Sequence, residues 1–318
     1  MRSGLSSCQG SPPYRATVNG GVRMSNATQI GIIPLGPAVG AEVREVNLPT
    51  LDDAGFAVIE RAWHEHLVLR VRGQTLTDGQ LMDFSRRFGV LDRVPVRAAG
   101  VLANDDPRLS IAPEARHYVN IISNVKIDGQ PIGGLGNDEA RWHTDMSYND
   151  IPPMASVLYG LEVPPAGGNT SFANMYAAYA TLDADTKRAI AGLACIHDAS
   201  RNSAGELRRG FADLTDPRDA VGARHPLVRT HPVTRRKGLF LGRRRNAYVP
   251  GLSLAASEAL LDQLWAHATQ PALCWTQVWR PGDVVIWDNR CVLHRRDAFD
   301  DHCRRVMHRT QICGEVPF

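Results

Sequence analysis

The sequence predicts a jelly-roll-type β core with helices at its flanks. Short β-forming segments dominate the chain from about residue 118 onward, whereas helical periodicity is confined to a few stretches beside them. No internal repeat and no linker divides the chain, so 25–318 reads as a single domain. Residues 1–24, rich in Gly, Ser and Pro and without the apolar run of a secretory signal, read as a disordered leader. Met24 as the true start is the alternative.

Taken in order, "LDDAGFAVIERAWHEH" places Phe56, Ile59 and Trp63 at helical spacing. "LVLRVRG" reads as a strand closed by Gly73. "TDGQLMDFSRRFG" carries a capping box, Thr77 with Gln80 three residues later, and ends at Gly89. "HYVNIISNV" is rich in β-formers, and "DGQPIGGLGNDEA" reads as a loop. "MASVLYGLEVPPAGGNTSF" gives a strand, a Pro-Gly turn and a second strand. "LDADTKRAIAGL" is a helix capped by Asp183. Residues 200–225 are polar and pattern-poor, the expected mobile loop. "LSLAASEALLDQLWAHAT" is amphipathic through Leu260, Leu261, Leu264 and Trp265. Three strands close the chain: "CWTQVWRP", "GDVVIWDN" and "RRVMHRTQICG".

Bulk properties exclude several classes. The 318 residues are 43% hydrophobic and 22% charged, the balance of a soluble globular protein. A formal net charge of +3 is too small to argue for nucleic acid. No run approaches the ~18 apolar residues of a membrane span. Six scattered cysteines without a C-x-x-C pair read as reduced thiols of a cytoplasmic protein.

The chemistry begins at "RWHTDMSYND". In an extended segment, side chains two apart share a side, so His143 and Asp145 converge on one point. "GDVVIWDNRCVLHRR" adds His294 just beyond a strand and its turn. Two imidazoles and one carboxylate leave three positions of a metal open, which suits Fe(II) and oxygen, although zinc accepts the same ligands. On the last strand, Arg305 and Arg309 share a face, roughly 13 Å apart at about 3.3 Å per residue. Arg304, His308 and Thr310 face the other way. Thr170 offers a hydroxyl to the carboxylate that Arg305 can grip with its planar fork.

Together, "WHTD", Thr170 at +27 from His143, "GDVVIWDNRCVLH", and Arg305 and Arg309 at +11 and +15 from His294 resemble the TauD/TfdA family. The resemblance runs from about "IIPLGPAVGAEV" to the C-terminus. It implies a 2-oxoglutarate-dependent non-haem iron dioxygenase on a double-stranded β-helix, with Fe(II) held by His143, Asp145 and His294. It implies Thr170 and Arg305 at the distal carboxylate of 2-oxoglutarate, and Arg309 at the anionic group of the substrate. The expected reaction consumes O2 and 2-oxoglutarate, hydroxylates a C–H bond of a small organic anion, and releases succinate and CO2. Desaturation or another oxidation with the same cofactors is the alternative.

The chain departs from taurine-using members, with Val94 and Arg97 where those carry His and Tyr, and Glu139 where they carry Asn. A sulfonate, an aryloxyalkanoate or another carboxylate is therefore the expected substrate class. Trp142 and Tyr148 read as wall packing. "RRK" at Arg235–Lys237 reads as a solvated hairpin, Arg243–Arg245 as a loop beside the pocket mouth, and His197 as a residue bonded to a nearby loop. No nucleic-acid or membrane partner is expected; family members are often oligomeric, so a homo-oligomer is. From other classes, a zinc hydrolase or a cupin-like isomerase would have no need of the Thr170/Arg305 pair, and the intact His143/Asp145/His294 triad argues against a non-catalytic anion-binding protein.

Overall fold

The computed structural model describes residues 29–94 and 106–318. The expected leader, 1–24, lies outside them. Twelve strands build two sheets. In chain order they are β1 (Gly31–Pro34), β2 (Ala41–Arg44), β3 (Val68–Val71), β4 (Asn120–Ser123), β5 (Gly134–Leu135) and β6 (Ala140–His143). They continue with β7 (Ala155–Glu162), β8 (Thr170–Asn174), β9 (Cys274–Gln277), β10 (Val284–Asp288), β11 (Val292–Arg296) and β12 (Val306–Ile312). The major sheet runs β1-β2-β3-β10-β7-β12-β4-β5 and the minor sheet β9-β8-β11-β6. Five α-helices accompany them among the described residues: α1 (Asp53–His66), α2 (Asp78–Arg86), α3 (Met175–Ala180), α4 (Ala184–Ile190) and α5 (Leu254–Ala268). The chain is therefore mainly β with flanking helices.

Strand alternation decides which side chains enter the core. Val157, Ile286 and Ile312 leave the major sheet on one face and bury against Ile59 and Trp63 of α1 and Leu81 and Phe84 of α2. Their neighbours Leu158, Val285, Trp287 and Met307 take the other face and meet Phe172 and Val292 of the minor sheet. Leu261, Leu264 and Trp265 of α5 cover the outer face of the minor sheet with Met175 of α3.

The α2 capping box is present, with the Thr77 side chain accepting from the Gln80 amide and the Gln80 side chain from the Thr77 amide. The helix ends at Arg86 rather than at Gly89. On β12, His308 Nδ1 bonds Asp78 at 2.6 Å and Thr310 meets Ser85 at 2.6 Å, both on α2. Arg305, Met307 and Arg309 therefore face the interior between the sheets.

Two expectations are corrected and one is sharpened. The stretch after Val125 is not all loop: Lys126–Ile127 pairs with Gln130–Pro131, and β5 joins β4 in parallel. The Asp128-Gly129 turn, with φ of 49° and 76°, is the left-handed pair that tight hairpins favour. His294 does lie beyond the turn that follows β10, and it stands there on a strand of its own, β11. Asp145 lies in the turn after β6, which ends at His143, so the two converge through a chain reversal and not through strand alternation. Among the described residues, no helix is long and apolar enough to cross a membrane.

Candidate metal and cosubstrate site

His143 ends β6 and lies directly opposite His294 of β11, so both imidazoles leave the minor sheet on one face. Their ring centroids are 4.1 Å apart. Asp145 Oδ1 lies 3.6 Å from His143 Nε2 and 3.8 Å from His294 Nε2. All three side chains are buried, and their ligand atoms lie within 4.8 Å of one another.

Hydrogen bonding leaves these atoms available. His143 Nδ1 is 2.6 Å from the Arg141 carbonyl, which can only accept. The ring proton is therefore on Nδ1, and the Nε2 lone pair is free for a metal. Ser156 donates to Asp145 Oδ2 at 2.7 Å. Its direction is forced: Trp287 Nε1 donates to Asn289 Oδ1 at 2.8 Å, which turns the Asn289 amide group toward Ser156 Oγ at 3.3 Å. Gln311 Nε2 also points at Ser156 Oγ, at 3.4 Å. A hydroxyl already receiving two donors must give its one proton to Asp145. Oδ2 is thereby engaged, and Oδ1 faces the imidazoles.

Arg309 donates to Asp145 at 3.2 Å to Oδ1 and 3.4 Å to Oδ2. Burial pushes the Asp145 carboxyl up, but Arg309 and the two imidazoles outweigh it and hold it well below the usual carboxylate range. Burial, then His143, keeps His294 neutral far below ordinary histidine values. A neutral imidazole is the form that binds metal.

Beside this centre a narrow crevice is lined by Thr170, Arg305, Arg296, Ile122 and Leu158. Arg305 is 1% exposed, and its Nε and Nη2 have no hydrogen-bond partner among the described residues. Burial, with Arg296 nearby, lowers its pKa to about 9. Such a guanidinium is costly unless an anion meets it. Trp279 Nε1 donates to Thr170 Oγ1 at 3.0 Å, so the Thr170 proton is left to donate elsewhere. The turn Gly167-Gly168, with φ of 76° and 61°, lets this wall close in. A side chain at Gly168 would meet Arg305 at 3.3 Å. Arg296 is held by the carbonyls of Leu135, Gly136 and Asp138, tying the approach to β6 to the crevice.

The structure thus brings together His143, Asp145, His294, Thr170, Arg305 and Arg309. The residues present fit the implied groups: three convergent ligand atoms for one ion, and an unpaired buried guanidinium beside a free hydroxyl donor for a carboxylate. Sequence reasoning missed Ser156, Asn289, Trp279, Arg296 and Gln311. Gln311 had a signal, because it shares the inward parity of Arg305 and Arg309. Trp142 packs against the α5 side, as expected of wall packing, and Tyr148 lies under Arg208 and Arg243. Glu139 pairs with Arg295 at 3.3 Å, and Val94 bonds the His117 carbonyl; Arg97 lies outside the described residues. Arg235–Lys237 does form a hairpin turn, between Val228–Thr230 and Lys237–Leu239. His197 is fully buried, with its ring packed closely against Gly242.

Residues 31–311 match the family model described as taurine catabolism dioxygenase TauD, TfdA family. The chain belongs to the TauD/TfdA family. It is a 2-oxoglutarate-dependent non-haem iron dioxygenase. The (S)-phenoxypropionate/alpha-ketoglutarate-dioxygenase of Delftia acidovorans is 34% identical, with 90% of this chain and 96% of that one aligned. The alpha-ketoglutarate-dependent 2,4-dichlorophenoxyacetate dioxygenase of Cupriavidus pinatubonensis is 36% identical over 87% and 95%. The crystal structure of AAD-2 in complex with Mn(II) and N-oxalylglycine superposes with a TM-score of 0.71 at 33% identity, covering 91% of this chain and 98% of the other.

Proposed function

We propose that this TauD/TfdA member hydroxylates a C–H bond of a small organic anion, an aryloxyalkanoate or a related carboxylate or sulfonate, with release of succinate and CO2. We further propose that its two sheets form the double-stranded β-helix and that 25–318 act as one domain. The observation that carries the reading is the unpaired, buried Arg305 guanidinium beside the free Thr170 hydroxyl, at the edge of a His/Asp/His centre. A metal hydrolase or isomerase has no use for that pair. The substrate class rests on relatives whose names specify phenoxypropionate and 2,4-dichlorophenoxyacetate.

In this reading His143, Asp145 and His294 hold Fe(II), and the bound iron with 2-oxoglutarate and O2 supplies the oxidising chemistry. Arg305 and Thr170 fix the distal carboxylate of 2-oxoglutarate through charge-assisted hydrogen bonds. Ser156 engages Asp145 Oδ2 and so orients the carboxylate that would hold the metal, and the Arg141 carbonyl fixes the His143 proton on Nδ1. Leu158, Ile122 and Trp287 exclude water from the crevice. Arg309 orients the anionic group of the substrate.

The test is succinate formation under air with Fe(II), 2-oxoglutarate and a panel of aryloxyalkanoates, sulfonates and small carboxylates, with His143→Ala and Arg305→Ala as controls. Succinate rising with one substrate class and lost in both controls is the expected result. Zinc supporting turnover while iron and 2-oxoglutarate do nothing would overturn it.

A further inference from the structure

Two rows of paired residues cross the minor sheet. One runs from Phe172 of β8 through His294 of β11 to His143 of β6, and an isolated antiparallel bridge extends it to Arg243. The other lies two residues along β8 and β11, and runs from Gln277 of β9 through Thr170 and Arg296 to Ala140. Residues two apart on a strand share a face, and directly paired residues hold their Cβ atoms about 5 Å apart. Arg296 therefore enters the interior beside Thr170, one row from the metal ligands. Thr170, Arg296 and Ala140 all line the crevice that holds Arg305.

Arg296 repeats the charge of Arg305 but not its hydrogen bonding. It is buried, and among the described residues neither arginine forms an ion pair with a carboxylate. Arg296 Nη1 donates to the Gly136 carbonyl at 3.0 Å, and Nη2 donates to the carbonyls of Leu135, at 2.9 Å, and Asp138. Asp138 is exposed; its main chain makes this bond, while its carboxylate attracts Arg296 only from a distance. The Phe299 ring lies 5.4 Å from the guanidinium. Carbonyls and ring fix the group in place, but they carry no net charge and leave its own standing. Arg305 keeps Nε and Nη2 free to grip a carboxylate, whereas both Nη atoms of Arg296 are engaged. What Arg296 adds to the crevice is a second fixed positive charge, and Arg305 feels it: after burial, Arg296 is what lowers the Arg305 pKa.

Resting on the Fe(II)/2-oxoglutarate reading, we propose that Arg296 is a specificity-determining residue for the cosubstrate: a second, immobile cation beside Arg305 that makes the crevice select dianionic 2-oxo acids over monoanionic ones. It acts by charge and not by contact. At an effective dielectric constant of about 20, a unit charge ~10 Å away still changes carboxylate affinity about tenfold. Because the carbonyl cradle already holds the guanidinium, no reorganisation opposes this attraction.

Titration calorimetry on the Mn(II)-loaded protein without O2 tests this with 2-oxoglutarate and with 2-oxobutyrate, which keeps the keto acid but lacks the distal carboxylate. Arg296→Gln retains amide donors for the carbonyl cradle and loses the charge; Arg296→Lys retains the charge. Arg296→Gln is expected to weaken 2-oxoglutarate by about tenfold or more and to leave 2-oxobutyrate unchanged. Arg296→Lys should recover most of the loss, and Arg295→Gln should change nothing. Equal 2-oxoglutarate affinity in the wild type and Arg296→Gln overturns the assignment. So does an equal loss for both oxo acids, or a lysine variant as weak as the glutamine one, since either marks Arg296 as a clip for residues 135–138 alone. Where 2-oxobutyrate is too weak to titrate, the contrast between lysine and glutamine decides. Mn(II) uptake reports the fold of each variant, and Arg296→Met replaces a glutamine variant that takes up none. Loss of Mn(II) from both neutral variants, with Arg296→Lys intact, also overturns the assignment, because the arginine then serves the fold. A wild type that takes up neither Mn(II) nor 2-oxoglutarate would instead overturn the underlying reading.

Discussion

His143, Asp145 and His294 have a counterpart in His64, His231 and Asp288: the same residue types, with ligand atoms likewise within 4.8 Å of one another. The difference is in the lone pairs. His231 Nδ1 accepts from the amides of Val233 and Thr234 at 3.2 and 3.1 Å, so its proton is on Nε2 and goes to Asp288 at 3.0 Å. Arg290 takes both Asp288 oxygens, at 2.8 and 2.7 Å. Burial raises the Asp288 carboxyl, but Arg290 and His231 outweigh it and hold it far below the usual range. His231 and Asp288 are thereby fully engaged, and only His64, whose Nδ1 has no hydrogen-bond partner among the described residues, is left. In the first group, the Arg141 carbonyl engages His143 Nδ1 and Ser156 engages Asp145 Oδ2, so the His143 Nε2 lone pair stays open and Oδ1 meets only the movable Arg309 guanidinium beside the imidazoles. Proximity of His and Asp is thus poor evidence for a metal; the direction of the remaining hydrogen bonds decides.

Substitutions can break this comparison. The largest effect is expected from His143→Ala, which should reduce bound Fe(II) or Mn(II) from one ion per chain to none. His231→Ala should keep the ion and cost stability by about 1–3 kcal/mol, because a buried carboxylate loses a donor. Metal analysis with a denaturant midpoint separates them, and an ion lost in His231→Ala would erase the contrast.

Next is Asp288→Asn, which leaves the buried Arg290 without its counter-charge. The expected cost is about 3–5 kcal/mol, or roughly 10 °C in melting temperature, with metal content unchanged. Calorimetry of the melt checks it, and a melt within a degree or two of wild type would show the network to be dispensable.

Arg305→Met should act in the opposite sense, since it removes an unpaired buried charge. Affinity for 2-oxoglutarate should fall by about 10²-fold while the free protein melts no lower than wild type. The wild type gives a matching pH dependence. A folded value of about 9 for Arg305 lies below the usual 12.5, so the folded chain loses this proton before the unfolded chain does. Its charge, and the grip on 2-oxoglutarate, are present below about 9; affinity should fall about tenfold per pH unit above it. Stability gains from the same group as pH rises from about 9 toward 12.5. Binding titrations at about pH 8, 9 and 10 read the slope.

Ser156→Ala should have the smallest effect, weakening metal binding about 10–100-fold without loss of the site. Ser156→Thr should restore part of it if the hydroxyl can still reach Oδ2. Unchanged metal affinity in Ser156→Ala would show that Arg309 alone orients Asp145.

Much of this was legible in the chain. Parity along "RRVMHRTQICG" put Arg305 and Arg309 on one face and sent His308 and Thr310 to α2, because a strand leaves no other choice. The capping box of α2 is a local hydrogen-bond pattern, and the sequence contains all of it. The second supporting layer was not legible. Ser156 and Gln311 are ordinary polar residues in β segments and Asn289 one in a turn, and only the packing of β7 between β10 and β12 sets Trp287, Ser156 and Gln311 in one row.

Local periodicity and spacing, together with family-specific motifs, determined the β class, the ligand types and the paired arginines. The tertiary structure decided what such signals cannot carry: that His294 stands on its own strand opposite His143, that Asp145 arrives through a turn, and that Arg243 completes their row. The first and last of these depend on strand pairing between segments about 100 or more residues apart, and hydrogen-bond registry across such distances is set by the packed core and not by the neighbours in sequence.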